Sequence, residues 1–161
     1  PATISVDALV DAVSSRVGEP RAAVEAPVLA MLEELLIIGA VRFRRSPVIT
    51  AAQVPDKPQA LMSVRQSPTL ASLTAPTALV CNQWHESVGL SLLERCLLPM
   101  LDGARDHAQL AAHLQAEARA ERLRFIKDGQ PVTGEAESEA FAREQVALAL
   151  QGLRRKGLLL A

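Results

Sequence analysis

His85, His107 and His113 are the side chains of this sequence whose ordinary pKa lies nearest neutrality, so acid–base or metal chemistry would be sought there first. The spacing of His107 and His113 does not put both on one helix face. A metal would need ligands at i and i+3 or i+4 with a carboxylate beside them, so solvent-facing histidines are expected and no metal ligand is nominated. Cys81 and Cys96 make no C-x-x-C pair. Both sit among apolar residues, the setting of buried free thiols in a reducing cytosol. No G-x-G-x-x-G, G-x-S-x-G or G-K-[ST] occurs, and the serines lack an evident His/Asp partnership. Glu135, Glu137, Glu139 and Glu144 gather around an expected helix start, where they suit the positive end of its dipole. No catalytic residue and no cofactor-binding residue is nominated.

The basic clusters are Arg42-Arg44-Arg45 and Arg154-Arg155-Lys156. They sit in a chain with 17 Lys+Arg against 18 Asp+Glu, a formal charge of −1. That balance weakens nucleic-acid and anionic-membrane readings, which rest on basic surface. Aromatic residues are sparse, with one Trp, three Phe and no Tyr, which argues against folds that stack bases. The hydrophobic fraction of 49% is ample for a core. No apolar run is long enough to span a bilayer, and no signal segment opens the chain.

The elements that must carry these residues follow from periodicity. SVDALVDAVSSRV places Val6, Leu9, Val10, Val13 and Val17 on one helix face, with Ser5 as N-cap and Gly18 as stop. A second helix opens at Pro20, with a kink or restart expected at Pro27. Its continuation, VLAMLEELLIIG, is apolar almost all round, so burial on more than one side is expected. Val41 and Phe43 alternate with Arg42 and Arg44, the period of a short strand. Residues 46–80 hold five of the ten prolines and read as a connector with short helices near 59–66 and 70–73. Residues 80–90 read as extended. LSLLERCLLPMLDG is a helix with Pro99 near its end. Asp106 and Gln109 make a capping box before Leu110 and Leu114. RFIKDGQPV is a hairpin turning at Asp128-Gly129. Residues 138–156 form a long helix with Phe141, Val146, Leu150 and Leu153 as core, and Leu158 to Leu160 a short apolar strand.

Two stretches read alike: VDALVDAVSSRVG with VLAMLEELLIIGAVRF, and HAQLAAHLQAEA with VALALQGLRRKGLLLA. Each is a short helix, a longer helix, a Gly and an extended apolar end, the order of a winged-helix core. An unrelated helical bundle is the alternative. In a DNA-reading winged helix the longer helix would enter the major groove. In the first copy it carries Glu25, Glu33 and Glu34 and no cation after Arg21; in the second, Arg143 and Gln145 could read bases.

Asn82-Gln83-Trp84-His85-Glu86-Ser87-Val88, the following LLERCLLPMLDGARDHAQL, and RFIKDGQPV with the terminal RRKGLLLA together resemble the C-terminal regulatory region of bacterial S-adenosylmethionine-dependent methyltransferases of the protein-lysine type. In that family an N-x-x-H-x-x-V strand precedes a helix ending L-L-P-x-L-D-G-x-R-D. The resemblance covers residues 80–161, and 1–50 more loosely. Trp84 stands where the family has a basic or polar residue. The resemblance singles out Asn82, His85, Asp102, Gly103 and Arg105 as candidate contact or structural residues. The residues themselves also allow a plainer part: Asn82 and His85 satisfying backbone groups at a strand edge, Asp102-Gly103 ending a helix, Arg105 pairing with an acidic neighbour.

The resemblance implies that S-adenosylmethionine belongs to a catalytic domain in the same polypeptide, since its Gly-rich loop is absent from these residues. The chain alone is then expected to be non-catalytic and cytoplasmic, gating access to that domain or holding a protein substrate. The expected fold is α+β, mostly α: a partial winged-helix-like unit at 1–45, a Pro-rich connector at 46–80, and a second unit at 81–161 with an inserted hairpin. The competing readings are a winged-helix transcription regulator that binds DNA and a small hydrolase, the latter requiring a polar pocket.

Overall fold

A computed structural model describes residues 3–44, 48, 50–70 and 78–161. Two compact units divide the chain, one of residues 2–48 and one of 49–161.

The smaller unit is a helical hairpin of α1 (Val6–Val17) and α2 (Arg21–Ile37). Ser5 caps α1 by accepting the Ala8 N–H at 3.1 Å. Gly18 ends it in the left-handed region at φ 77°, its N–H donating to the Ser14 carbonyl. Pro20 is the N-cap of α2, and the helix runs through Pro27 without a break. The proline forfeits one rung of the ladder and does not end it. Two expectations fail here. Residues 41–44 form no strand; alternation alone cannot make one without a partner to satisfy the backbone. The apolar run of α2 is not buried on several sides: Val24 is its one buried residue.

The larger unit runs through α3 (Met62–Arg65), a 3-10 turn (Pro68–Leu70), β1 (Ala78–Cys81), β2 (Ser87–Leu90), α4 (Leu92–Leu97) and a second 3-10 turn (Leu98–Met100). Then follow α5 (His107–Arg119), β3 (Ile126–Lys127), β4 (Gln130–Pro131) and α6 (Glu135–Arg155). The strands pair as two antiparallel hairpins, β1 with β2 and β3 with β4. Asp128 (φ 51°) and Gly129 (φ 79°) both take the positive φ that a two-residue hairpin turn needs. Asp106 and Gln109 form the expected capping box, at 2.8 and 3.0 Å. A second box, Ser91 with Glu94, opens α4. Beyond α4 the chain tightens into the 3-10 turn that contains Pro99.

α6 packs along α5 and α4, burying Val146, Leu150 and Leu153 with Leu110, Leu114, Leu97 and Leu101. Phe125, at the base of the second hairpin, meets Phe141 of α6 with ring centroids 5.4 Å apart. The Pro-rich stretch expected as a connector lies partly inside this core: Ala51, Ala60, Val64 and Leu70 are buried in it. The Ala60 N–H donates to the Leu101 carbonyl and the Leu160 N–H to the Gln59 carbonyl, so the stretch is stitched to both the α4 end and the C-terminus. Leu159 makes a single bridge to Ala60 in place of a terminal strand. The helix expected near 70–73 lies largely outside the described residues, as does Arg45 of the first basic cluster. Cys96 is buried as expected but Cys81 is exposed, because strand alternation turns Ala78 and Val80 inward and Cys81 outward.

Candidate functional site: a polar junction at the end of the last helix

Asn82 is buried in the turn between β1 and β2. Its Oδ1 accepts the N–H groups of Trp84 at 2.9 Å and Glu86 at 3.0 Å. Its Nδ2 donates to Glu86 Oε2 at 3.0 Å and to the Lys156 carbonyl at 3.1 Å. The amide's donors and acceptor pairs are all satisfied within the chain. It therefore folds the turn and ties it to the end of α6. His85 lies in that turn, exposed and at φ 57°, with its backbone N–H donating to the Asn82 carbonyl.

Lys156 is held at its other end as well. Its Nζ donates to Glu94 Oε1 and Oε2 at 2.7 and 2.6 Å. The Glu94 side chain is only 5% exposed, and its Oε2 also accepts the Ser91 N–H at 2.7 Å. One carboxylate thus completes the α4 cap and neutralises a lysine at the C-terminus of α6, where a cation also suits the helix dipole. Two glycines make room. A Cβ on Gly152 would lie 2.6 Å from Glu94 Oε1, and one on Gly157 would lie 1.5 Å from Trp84 Cζ3. The indole of Trp84 sits flush on the Gly157 backbone. That explains how a large ring occupies a position between Asn82 and His85.

Asp102, Gly103 and Arg105 form a second cluster. Asp102 Oδ1 accepts the Ala104 N–H at 2.9 Å, and its other oxygen pairs with Arg105. The Ala104 N–H foremost, with Arg105, holds the Asp102 carboxyl below the usual carboxylate range. Gly103, at φ 82°, donates its N–H to the Pro58 carbonyl at 3.2 Å. This cluster turns the chain after α4 and fastens the Pro-rich stretch. The structure thus does not bring the five candidates into one site: Asn82 and His85 share one turn, and Asp102, Gly103 and Arg105 share another. Glu94, Lys156, Gly152 and the Trp84–Gly157 contact were missed. The Ser-x-x-Glu of positions 91–94 signals the cap, but nothing local signals a partner 62 residues away.

No cluster of three His, Cys, Asp or Glu that could hold a metal occurs among the described residues. His107 bonds the Pro55 carbonyl through Nε2 at 2.9 Å, a fold contact. Burial above all pushes the Cys96 thiol up to about 11, so it stays protonated and unreactive. The described strands form antiparallel hairpins only, without the parallel strand–Gly-loop–helix unit that cradles a nucleoside cofactor in doubly wound folds. An open groove of about 450 Å³ runs between the end of α5, the second hairpin and the start of α6, with Phe125, Ile126 and Val132 among its walls and Arg119 and Glu135 at its rim.

Helices α4, α5 and α6 with two small antiparallel hairpins define a mostly helical α+β domain of the winged-helix class. The chain belongs to the family described as "PKMT, C-terminal winged helix domain", whose sequence pattern matches residues 56–158. It is similar in fold to PKMT2 from Rickettsia typhi, with a TM-score of 0.75 at 20% identity over 98% of this chain. The same protein in complex with AdoHcy gives 0.76 at 19% over 99%. The chain spans about a third of the length of those solved chains, 32% and 31%. None of the curated proteins matches it. Among the described residues no helix is long and apolar enough to cross a membrane.

Proposed function

We propose that these residues are the non-catalytic C-terminal region of a cytoplasmic, S-adenosylmethionine-dependent protein-lysine methyltransferase, and that they gate or shape access of a protein substrate to the catalytic domain of the same polypeptide. The observation that carries this reading is the polar junction: Asn82, Glu94 and Lys156 are the distinctive polar residues of the chain, and they bond one another or the backbone. They serve as scaffold: the Glu94 carboxylate and the Lys156 ammonium, base and nucleophile by type, are taken up by each other and by the α4 cap. A packed accessory domain can alter activity by binding open and closed states of an enzyme unequally. The groove beside the second hairpin is the place for a substrate segment to rest, being apolar-walled with charges at its rim.

The division into two winged-helix-like units, 1–45 and 81–161, belongs to this proposal. Its support is that α1 pairs with α2 as α5 pairs with α6. Against the DNA-binding alternative, the C-terminal basic cluster is engaged in the fold: Arg154 donates to the Ala52 carbonyl at 2.9 Å and Lys156 to Glu94. Arg143, placed to read bases, pairs with Glu139.

The test is methyl transfer to a lysine-bearing protein by the longer polypeptide, with and without this region. Removal should lower kcat/KM for the protein acceptor by about tenfold or more and leave cofactor affinity unchanged. Equal rates with and without it would overturn the reading.

A further inference from the structure

Within residues 2–48 only Val10 and Val24 among the described residues are buried. A helical hairpin with so small an internal core is not stable by itself and needs a further surface on which to bury apolar area. The apolar stripe of α2 is wider than its inward-facing centre, which runs through buried Val24 and half-buried Leu35. Leu29 and Leu36, two turns apart on one edge of that stripe, are 46% and 40% exposed. Met31 and Ile38, two turns apart on the other, are 64% and 73% exposed.

The charges around this face restrict what can cover it. Glu25 and Glu33 flank Leu29 and Leu36 on the helical wheel, and Glu34 stands beside Ile38. α2 has no Lys or Arg after Arg21, which is itself held by Asp7 at 2.5 Å and Asp11 at 2.7 Å. A second copy packed α2 against α2 would bring three more carboxylates and no cation of α2 beyond the paired Arg21 to meet them, and like charges across an interface are unfavourable. A complementary surface has an apolar centre and a rim of Lys and Arg.

We infer that the Leu29–Leu36 edge of α2 docks on an apolar, Lys/Arg-rimmed surface in the part of the methyltransferase that lies outside these residues. The inference rests on the proposed function, and the matched solved chains are about three times the length of this one, which leaves room for such a surface.

Hydrogen exchange of the α2 amides, in the 161-residue chain and in the longer polypeptide, tests it. Protection should rise by about tenfold or more in the longer polypeptide and fall back in the Leu29→Glu/Leu36→Glu double variant. In the 161-residue chain the double variant should melt with the parent, since both positions are exposed there, and both should sediment as monomers. Equal α2 protection in the two proteins would overturn the inference: either nothing covers the face or the chain's own residues already do. A dimer of the chain that the double variant dissociates would also overturn it and assign the face to a second copy. Because exchange reads docking whatever happens to methyl transfer, failure of the gating role and failure of docking give different results.

Discussion

Gly157 and Trp84 hold the end of α6 by contact alone. A methyl group at Gly157 would overlap the indole and would also sit at φ 70°, where a side chain is strained. Gly157→Ala should lower stability by about 2–4 kcal/mol and shift Trp84 emission to the red as the ring is pushed into water. Thermal melts and fluorescence check this, Trp84 being the one tryptophan. Gly152→Ala crowds the Glu94 carboxylate at 2.6 Å. Its cost should be about 1–3 kcal/mol, and much smaller in a Glu94→Ala background, where the obstacle is gone. Asn82 is part of a legible motif, yet the sequence does not say that its amide binds its own turn and the end of α6. Residues close in the chain signal a turn; the Lys156 carbonyl that completes the site is 74 positions away.

At the scale of elements, helices were legible wherever caps and periodicity coincide. Ser5, Gly18 and the Asp106–Gln109 box lie where the physics of unsatisfied helix ends requires. α6 begins at Glu135, three residues earlier than its periodicity suggested, because Glu135 and Glu137 suit a first turn that contributes nothing to the core. Burial was less legible, as it depends on what the fold supplies as partner: α2 has the composition of a buried helix and an exposed surface. Leu150→Asp should destabilise the larger unit by about 3–5 kcal/mol, since Leu150 is fully buried against α5 and the carboxylate would have no partner. Gln151→Asp, one residue along and exposed, should melt with the parent. At the end of α5, the side-chain bond from Arg122 holds the Glu117 carboxyl below its ordinary 4.5. A folded-state pKa lowered in this way gives stability that is present above the unfolded value and lost as pH falls through the folded one. Arg122→Ala should therefore lower the melting temperature a little at pH 7 to 8, the loss being small because the arginine is largely exposed, leave it unchanged in strong acid, and so flatten the acid limb below about pH 5.

For the whole molecule, the balanced charge and the engagement of Arg154 and Lys156 in the fold predict weak, unspecific contact with duplex DNA. A log–log salt slope of several units, the sign of many released counterions, would favour a nucleic-acid role instead. Family membership was legible through the Asn82–Val88 and Leu98–Asp106 segments, because a turn and a helix end need particular residues at fixed spacing. The packing of residues 51–70 into the core was not, since prolines report local stiffness and say nothing of what the segment lies against. If cofactor chemistry lies outside this chain and its polar residues build a scaffold, the chain by itself has no site for S-adenosylmethionine. Calorimetric titration of the chain with S-adenosylmethionine at millimolar concentration tests that most directly. No saturable heat is expected; a one-to-one isotherm would place a cofactor site within the chain and refute the scaffold role.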